Sequence, residues 1–406
     1  MTKDTRIGDL GAATREPSIL GAMPTSASTG GADLSRFRDR FPIFEHTIYL
    51  NSCSLGPLSR QSRAAVNEYL DLWDRRGASA WYDTWLPALD RLRSAYAELI
   101  GGAGGTVALH PSISSAVTAV AESLDYRRRP VVVTTNLDFP TVAYQWLGKG
   151  ADGLEVRIVE SSDGITIPTE RMLAAIDQRT ALVVTSHVFF TTGAMQSLAP
   201  IAAASRQAGA LLLVDGYHAA GQIPVDVRAA GVDFYCGGGL KWLLGGSGIA
   251  FLYANPETTG SLVPRTPGWF AHQRPFDFDV ATLELRADGR RFESGTPSVA
   301  SVYAQLAGLE LLHDAGLARV HQATRSLSAG LIESARACGL APRVAPDPAE
   351  RTAIVPIPRP DPKGDVARLA AAGIIADARP GLVRLSPYFY NTPDDCRAAL
   401  EILAHD

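Results

Sequence analysis

An α/β fold is predicted from three features of the chain. Seven short apolar runs lie between Val107 and Tyr253, Ala-rich helical stretches separate them, and the pattern changes after Pro256. The runs are 107–109, 131–134, 155–159, 181–185, 210–214, 232–235 and 249–253. Continuous apolar strands are buried on both faces, and the helices between them supply the cover. The expected core is a mostly parallel seven-stranded sheet in a large domain, followed by a smaller α+β C-terminal domain.

Residues 1–35 scatter charges among Gly, Ser, Thr and Ala, without the basic-then-apolar order of a secretion signal, and are read as a flexible tail. The ordered part is expected to start near Phe37. A short strand, Ile48-Tyr49-Leu50, runs into the loop Asn51-Ser52-Cys53-Ser54-Leu55-Gly56-Pro57. Helical stretches are predicted over Ser59–Arg76 and Thr84–Ile100. Beyond the seven runs comes a Trp/Phe/Pro-rich loop, Pro264 to Phe278, then one long helical stretch from Ser298 to about Cys338. Seven prolines between Pro342 and Pro362 interrupt the next segment, leaving β runs such as Thr352-Ala353-Ile354-Val355. The division expected is a tail over 1–35, a large α/β domain over 36–295 and a small α+β domain over 296–406.

Composition excludes several classes. With 38 Lys plus Arg against 42 Asp plus Glu in 406 residues, the net charge of −4 advertises neither a nucleic-acid surface nor a polybasic membrane surface. No apolar run approaches ~18–20 residues, so no membrane span is expected. Cys53, Cys236, Cys338 and Cys396 are far apart, with no CxxC and no Cys/His cluster. That argues against a disulfide scaffold and a metal site, and fits a reducing cytoplasm.

The chemistry concentrates around Lys241, in Cys236-Gly237-Gly238-Gly239-Leu240-Lys241-Trp242-Leu243-Leu244-Gly245-Gly246-Ser247-Gly248. Lysine rarely enters such apolar, glycine-rich surroundings without a partner. A carbonyl partner removes the cost by forming a Schiff base, and the glycines let a flat ring and a phosphate approach the backbone. The alternative is a lysine snorkelling from a flexible loop. Upstream, Asp215 ends the run Leu211-Leu212-Leu213-Val214 at its carboxyl edge, where open α/β sheets bind ligands. A carboxylate there can keep a pyridine nitrogen protonated, or it can simply cap a helix. His218 taken alone reads as a structural histidine. Asp215 and Lys241 together, 26 residues apart on neighbouring strand ends, favour pyridoxal chemistry.

The order Asp215-x-x-His218, Val232-Asp233-Phe234, Lys241 and Gly245-Gly246-x-Gly248 resembles the class V aminotransferase group of pyridoxal 5'-phosphate (PLP) enzymes, of fold type I. Within it the chain is most similar to kynureninases, from about Phe41 to the C-terminus. The matching motifs are Tyr49–Gly56, Phe139-Pro140-Thr141, Ser186-His187-Val188 with Thr192-Gly193, Gly268-Trp269-Phe270-Ala271-His272, and Gly295-Thr296-Pro297.

The resemblance implies a role for each matching residue. Lys241 carries the Schiff base, Asp215 pairs with the pyridine nitrogen, His218 sits beside the ring's phenolic oxygen and Phe139 stacks on the ring. Ser112, Ile113 and Ser114 open a helix that can cradle the phosphate, or form a plain serine cap. Trp269 and Thr296 reach the phosphate from a second subunit, implying a homodimer; core packing and a turn before proline are their alternatives. Arg384, in Gly381-Leu382-Val383-Arg384-Leu385-Ser386-Pro387, holds the substrate α-carboxylate through two parallel bonds, with Ser54 and His272 also on the substrate. An exposed strand face is the other reading of Arg384.

Two positions depart from the pattern. Val142 stands where the family has Asp after Phe-Pro-Thr, and Leu240 stands where kynureninases have Tyr and many relatives His before the lysine. These departures bear on kynurenine hydrolysis itself. Cys338, the candidate desulfurase nucleophile, precedes Gly339 and reads as a buried helix end; Cys53 reads as packing near the site. The expected function is a PLP enzyme acting on an L-α-amino acid, with kynureninase-like cleavage beyond the β-carbon or C–S/β-elimination. Aminotransfer is the alternative, and a non-catalytic PLP-fold binding protein the second. A nucleotide-binding module is disfavoured, because Gly101-Gly102-Ala103-Gly104-Gly105 follows a helix and precedes a strand.

Overall fold

The structure, a computed structural model, describes residues 34–405. The tail expected over 1–35 therefore lies outside the described residues up to position 33. Its last two residues do not behave as a tail: Leu34 is buried, and Ser35 opens a short 3-10 turn, Ser35–Arg40.

Strand β1 (Ile48–Tyr49) leads through the Asn51–Pro57 loop into α1 (Arg60–Arg76), capped by the Ser59 side chain, and then α2 (Leu86–Leu99). The second helical stretch starts as a π-turn, Trp81–Trp85, before becoming regular. Then come β2 (Val107–His110), α3 (Ile113–Ala121), β3 (Val131–Thr135), α4 (Pro140–Leu147), β4 (Glu155–Val159), α5 (Thr169–Ala175), β5 (Thr180–Ser186), α6 (Leu198–Ala208), β6 (Leu211–Asp215), α7 (Val227–Ala230), β7 (Phe234–Gly238), β8 (Ala250–Ala254) and α8 (Pro256–Thr259). The sheet order is β2-β8-β7-β6-β5-β3-β4. The pairs from β4 to β7 are parallel, while β8 runs antiparallel to both β7 and β2. This is the mostly parallel seven-stranded α/β sheet expected. The central strands feed two cores, because successive side chains alternate faces. Val131, Val133, Val183, Leu212 and Val214 join one cluster; Val132, Leu182, Val184 and Leu213 join the other, under α3 and α4.

After β8 the chain forms α9 (Val299–Ala315) and α10 (Leu317–Ala337). The single helical stretch read from the sequence is thus two helices, broken at Gly316, whose φ of 78° an L side chain adopts only with strain. Next come β9 (Val355–Pro358), α11 (Pro362–Ala371), β10 (Ile374–Ile375), β11 (Asp377–Arg379), β12 (Leu382–Leu385) and α12 (Pro393–Ala404). The β run expected over 352–355 begins where it was expected to end. Pro356 and Pro358 are tolerated because β9 is an edge strand of the antiparallel sheet β11-β12-β9. A third core, with Leu331, Val355, Val383 and Leu400, packs this sheet against α10 and α12. Strand β1 pairs with β10, and Asn51 bridges Ser386, so the loop after β1 is tied to the C-terminal sheet. Among the described residues no helix is long and apolar enough to cross a membrane.

Candidate active site

The parallel strands β6 and β7 end side by side, Asp215 opposite Cys236. Lys241 follows β7 in the glycine-rich connection to β8. A cavity of about 460 Å³ opens here. Its floor is Asp215, Tyr217, His218 and Lys241; one wall is Phe139 and Phe190; another is the opening turn of α3, Ser112 to Ser114; and its C-terminal rim is Arg379 and Arg384. The loop Asn51–Pro57 closes one side through Cys53 and Ser54. Glycine is needed at position 56, because a Cβ there would overlap the Lys241 carbonyl oxygen, while the Gly56 N–H donates to the Leu240 carbonyl at 2.8 Å.

Lys241 Nζ lies 2.7 Å from His218 Nε2 and over the Tyr217 ring, 4.6 Å from its centroid. Burial lowers the lysine pKa to about 8, outweighing the raising effect of neighbours such as Asp215. Burial likewise holds His218 well below its ordinary value, so the imidazole is neutral. Its tautomer follows from donor accounting. The Trp242 indole N–H, which can only donate, points at His218 Nδ1 at 3.3 Å. Nδ1 is therefore the acceptor, the proton sits on Nε2, and Lys241 Nζ must offer a lone pair. The arrangement is that of the free amine, the form that attacks a carbonyl and the major form above about pH 8.

Asp215 is buried, and desolvation raises its pKa to about 6. Its Oδ1 accepts the Tyr217 N–H at 2.9 Å, in a turn rather than a helix cap. Next to it sits Asp138, also buried and pushed up by burial. Asp138 accepts hydrogen bonds from Thr134, Thr135 and Thr185 hydroxyls and from the Thr135 and Ser186 N–H groups. It thereby ties the ends of β3 and β5 together and anchors Phe139, whose half-exposed ring meets Phe190 edge-on at 5.2 Å.

Arg384 is 1% exposed on β12, not on an open strand face. It donates to the Phe190 carbonyl, to Ser54 Oγ at 3.1 Å and to Asp377. Its Nε is buried without a partner, a donor waiting for an acceptor. Ser112 caps α3 by accepting the Ser115 N–H at 3.2 Å, and Ser114 Oγ lies 3.1 Å from Thr141 Oγ1.

Three predicted residues do not meet Lys241 within one chain. Trp269 and His272 line a separate cavity with Phe278, and Thr296 is exposed. His272 Nδ1 accepts the Arg274 N–H at 2.9 Å, and its Nε2 is buried and unpartnered. Cys338 caps α10, is partly exposed rather than buried, and does not line the Lys241 cavity. Val142 packs in the core beneath α4. The residues that sequence reasoning missed are Tyr217, Trp242, Asp138, Phe190, Asp377 and Arg379. The first two lie inside quoted motifs and differ only in what they touch; the last two declare themselves through strand register.

The donors suit a flat ring bearing an aldehyde, a basic ring nitrogen and a phosphate. Lys241 offers the amine, Asp215 a buried carboxylate for the nitrogen, Phe139 and Phe190 apolar faces, and the α3 N-terminus a cradle for the anion.

A family model described as aminotransferase class-V matches residues 75–398. An uncharacterized aminotransferase, YcbU, of Bacillus subtilis (strain 168) is 32% identical over 372 residues, covering 91% of this chain and 97% of that protein. A kynureninase of Pseudomonas fluorescens is 30% identical over 390 residues, 91% of each chain. Among solved structures, a complex of a cystine C–S lyase with its reaction product cysteine persulfide matches with a TM-score of 0.82 at 21% identity, over 90% of this chain and 99% of that one. An apo cysteine desulfurase from Thermococcus onnurineus NA1 gives 0.81 at 20% identity, over 91% and 96%. At those identities the likeness is one of fold.

Proposed function

The chain belongs to the class-V aminotransferase family, and on that premise we propose that it cleaves a bond beyond the β-carbon of an L-α-amino acid, as a kynureninase does. It is an enzyme of the PLP-dependent kind, and its cofactor is pyridoxal 5'-phosphate. Bound in the cavity, PLP supplies an aldehyde for the amine and a protonated ring that withdraws electrons from the substrate's α-carbon.

The observation that carries the reading is the meeting of Lys241, His218, Asp215 and Arg384 in one cavity. Lys241 is the group to bond the aldehyde and, once released by the substrate amine, to take the α-proton. His218, with its proton on the Nε2 facing Nζ, donates the hydrogen bond that orients the lysine lone pair. Asp215 keeps the ring nitrogen protonated. Arg384 holds the α-carboxylate, using the unpartnered Nε, with Ser54 fixing the guanidinium. Phe139 and Phe190 exclude water from the reacting face. Ser112, Ile113 and Ser114 hold the phosphate.

Two further parts of the reading concern assembly and compartment. The exposed apolar side chains Trp269, Phe278, Val280 and Leu283 line the Trp269–His272 cavity, and exposed Phe276 packs edge-on against Trp269. They suit burial against a second copy, whose site Trp269 and Thr296 would then complete; sedimentation of the purified chain should give a homodimer. Four unpaired cysteines suit a reducing compartment such as the cytoplasm.

The test is a product screen of PLP-loaded protein on L-kynurenine, cysteine conjugates and common amino acids. Kynureninase-like cleavage releases alanine, and β-elimination releases pyruvate with ammonia. With glyoxylate added as amino-group acceptor, formation of the substrate's own keto acid together with glycine would instead establish aminotransfer, the second reading, which the 32% identity to YcbU favours. Absence of any turnover with cofactor bound would leave the non-catalytic alternative.

A further inference from the structure

The cavity carries a second charged cluster on its C-terminal rim. The antiparallel register of β11 and β12 sets Asp377 opposite Arg384, and Arg379 lies two residues further along the same strand. Asp377 bridges both guanidiniums: Oδ1 is 2.7 Å from Arg379 Nη1, and Oδ2 pairs with Arg384 Nη2. Both arginines line the cavity, while Asp377 stands behind them. Among the described lining residues the one carboxylate is Asp215, on the floor beside Lys241.

The formal charges on the rim are therefore two positive and one negative. One positive charge is left over across a cluster in which the Arg384 side chain is 2% exposed, that of Asp377 13% and that of Arg379 34%. At the buried Arg384 end such an excess is costly until a counter-ion arrives, while at Arg379 solvent offsets part of it. The α-carboxylate of a single amino acid brings one negative charge, and the unpartnered Arg384 Nε is the donor ready for it. A second anionic group would find Arg379 already engaged with Asp377 and Phe139 and Phe190 on the nearby wall.

We propose that Asp377 limits the site to one anionic group, so that the substrate is an L-α-amino acid with an uncharged side chain and dicarboxylic amino acids are rejected. This deepens the function proposed above and rests on it. Arg384 recognises, Arg379 supplies the spare charge, and Asp377 sets the count. Specificity here comes from a residue that repels the wrong substrate as much as from one that attracts the right one.

Two substitutions move the count in opposite directions. Asp377→Asn keeps shape and a carbonyl acceptor but raises the surplus from one to two. Arg379→Gln lowers it to zero and keeps the Asp377–Arg384 pair, so it tests the count even if the first variant folds poorly. Isothermal titration of PLP-loaded full-length protein with the isosteric pairs glutamine/glutamate and asparagine/aspartate reads the effect. The wild type should bind each amide at least about tenfold more tightly than its acid. Asp377→Asn should abolish or reverse that ratio, and Arg379→Gln should weaken both amides by about tenfold. Wild-type protein that binds the acids as tightly as the amides would overturn the proposal, as would an unchanged ratio in Asp377→Asn. If no amino acid in the wider screen binds the loaded protein, the proposed function fails first and takes the charge count with it. Binding of amino acids without discrimination removes the count alone.

Discussion

The floor and the rim of the cavity handle charge in opposite ways. On the floor, Lys241, His218 and Asp215 come from the ends of β6 and β7 and are governed by burial. Desolvation brings the lysine down to about 8 and the aspartate up to about 6, toward each other and toward neutrality. On the rim, Asp377, Arg379 and Arg384 come from the small antiparallel sheet and are governed by pairing. The floor is built to exchange protons, because Lys241 and Asp215 change state near working pH. The rim is built to hold charge, because its guanidiniums and carboxylate are fixed to one another by hydrogen-bonded ion pairs. Chemistry and recognition are thus assigned to different sheets, which meet where the Asn51–Pro57 loop bonds to both. The Gly56 N–H reaches the lysine segment, and the Cys53 N–H reaches Ser386.

Substitution on each side should break this contrast differently. The largest effect is expected on the floor. Lys241→Ala should lower turnover by at least about a thousandfold and abolish the yellow colour of the loaded protein, with little change in substrate-analogue affinity. On the rim, Arg384→Ala should raise KM by about a hundredfold and leave the colour intact. It should also lower stability by about 3 kcal/mol in denaturant unfolding, since a buried pair loses one member. Equal losses of kcat and colour in both variants would erase the distinction.

Smaller effects sharpen it. Trp242→Phe removes the indole N–H and frees His218 to carry its proton on Nδ1. Nε2 then becomes an acceptor, which favours the protonated lysine. The pH midpoint for PLP capture by cofactor-free protein should rise by about one unit. Tyr388→Phe, which loses a hydroxyl against the Gly221 carbonyl in the same aromatic cluster, should leave that midpoint in place. In the wild type the sign is set by the lowered lysine pKa: the free amine is the minor form below about 8 and the major form above it. Capture should therefore quicken about tenfold per unit up to pH 8 and level off beyond. A midpoint near the ordinary lysine value would mean that burial does not act on the floor.

How far the sequence carried depended on the same division. The floor is local in sequence: Asp215-x-x-His218 and the glycine-rich lysine segment each lie within a few residues, and strand-end placement follows from apolar runs. The rim is not. Arg384 stood out as a lone charge in a β run, but Asp377 and Arg379 join it only through the β11–β12 register, which a three-residue strand does not announce. The Trp242–His218 bond likewise depends on how the loop folds back. Elsewhere, Gly316 broke a helix that composition alone ran through, and an edge position let β9 begin at Val355 and run through two prolines.

The central claim is that Lys241 is the residue that bonds the cofactor. The chain has four lysines, Lys3, Lys149, Lys241 and Lys363, so the assignment can be made outright. PLP-loaded protein is reduced with borohydride, digested and mapped by mass spectrometry. The account predicts a pyridoxyl group on Lys241 and none on the other three. A reduced adduct on another lysine, or no adduct in protein that holds PLP, would contradict it.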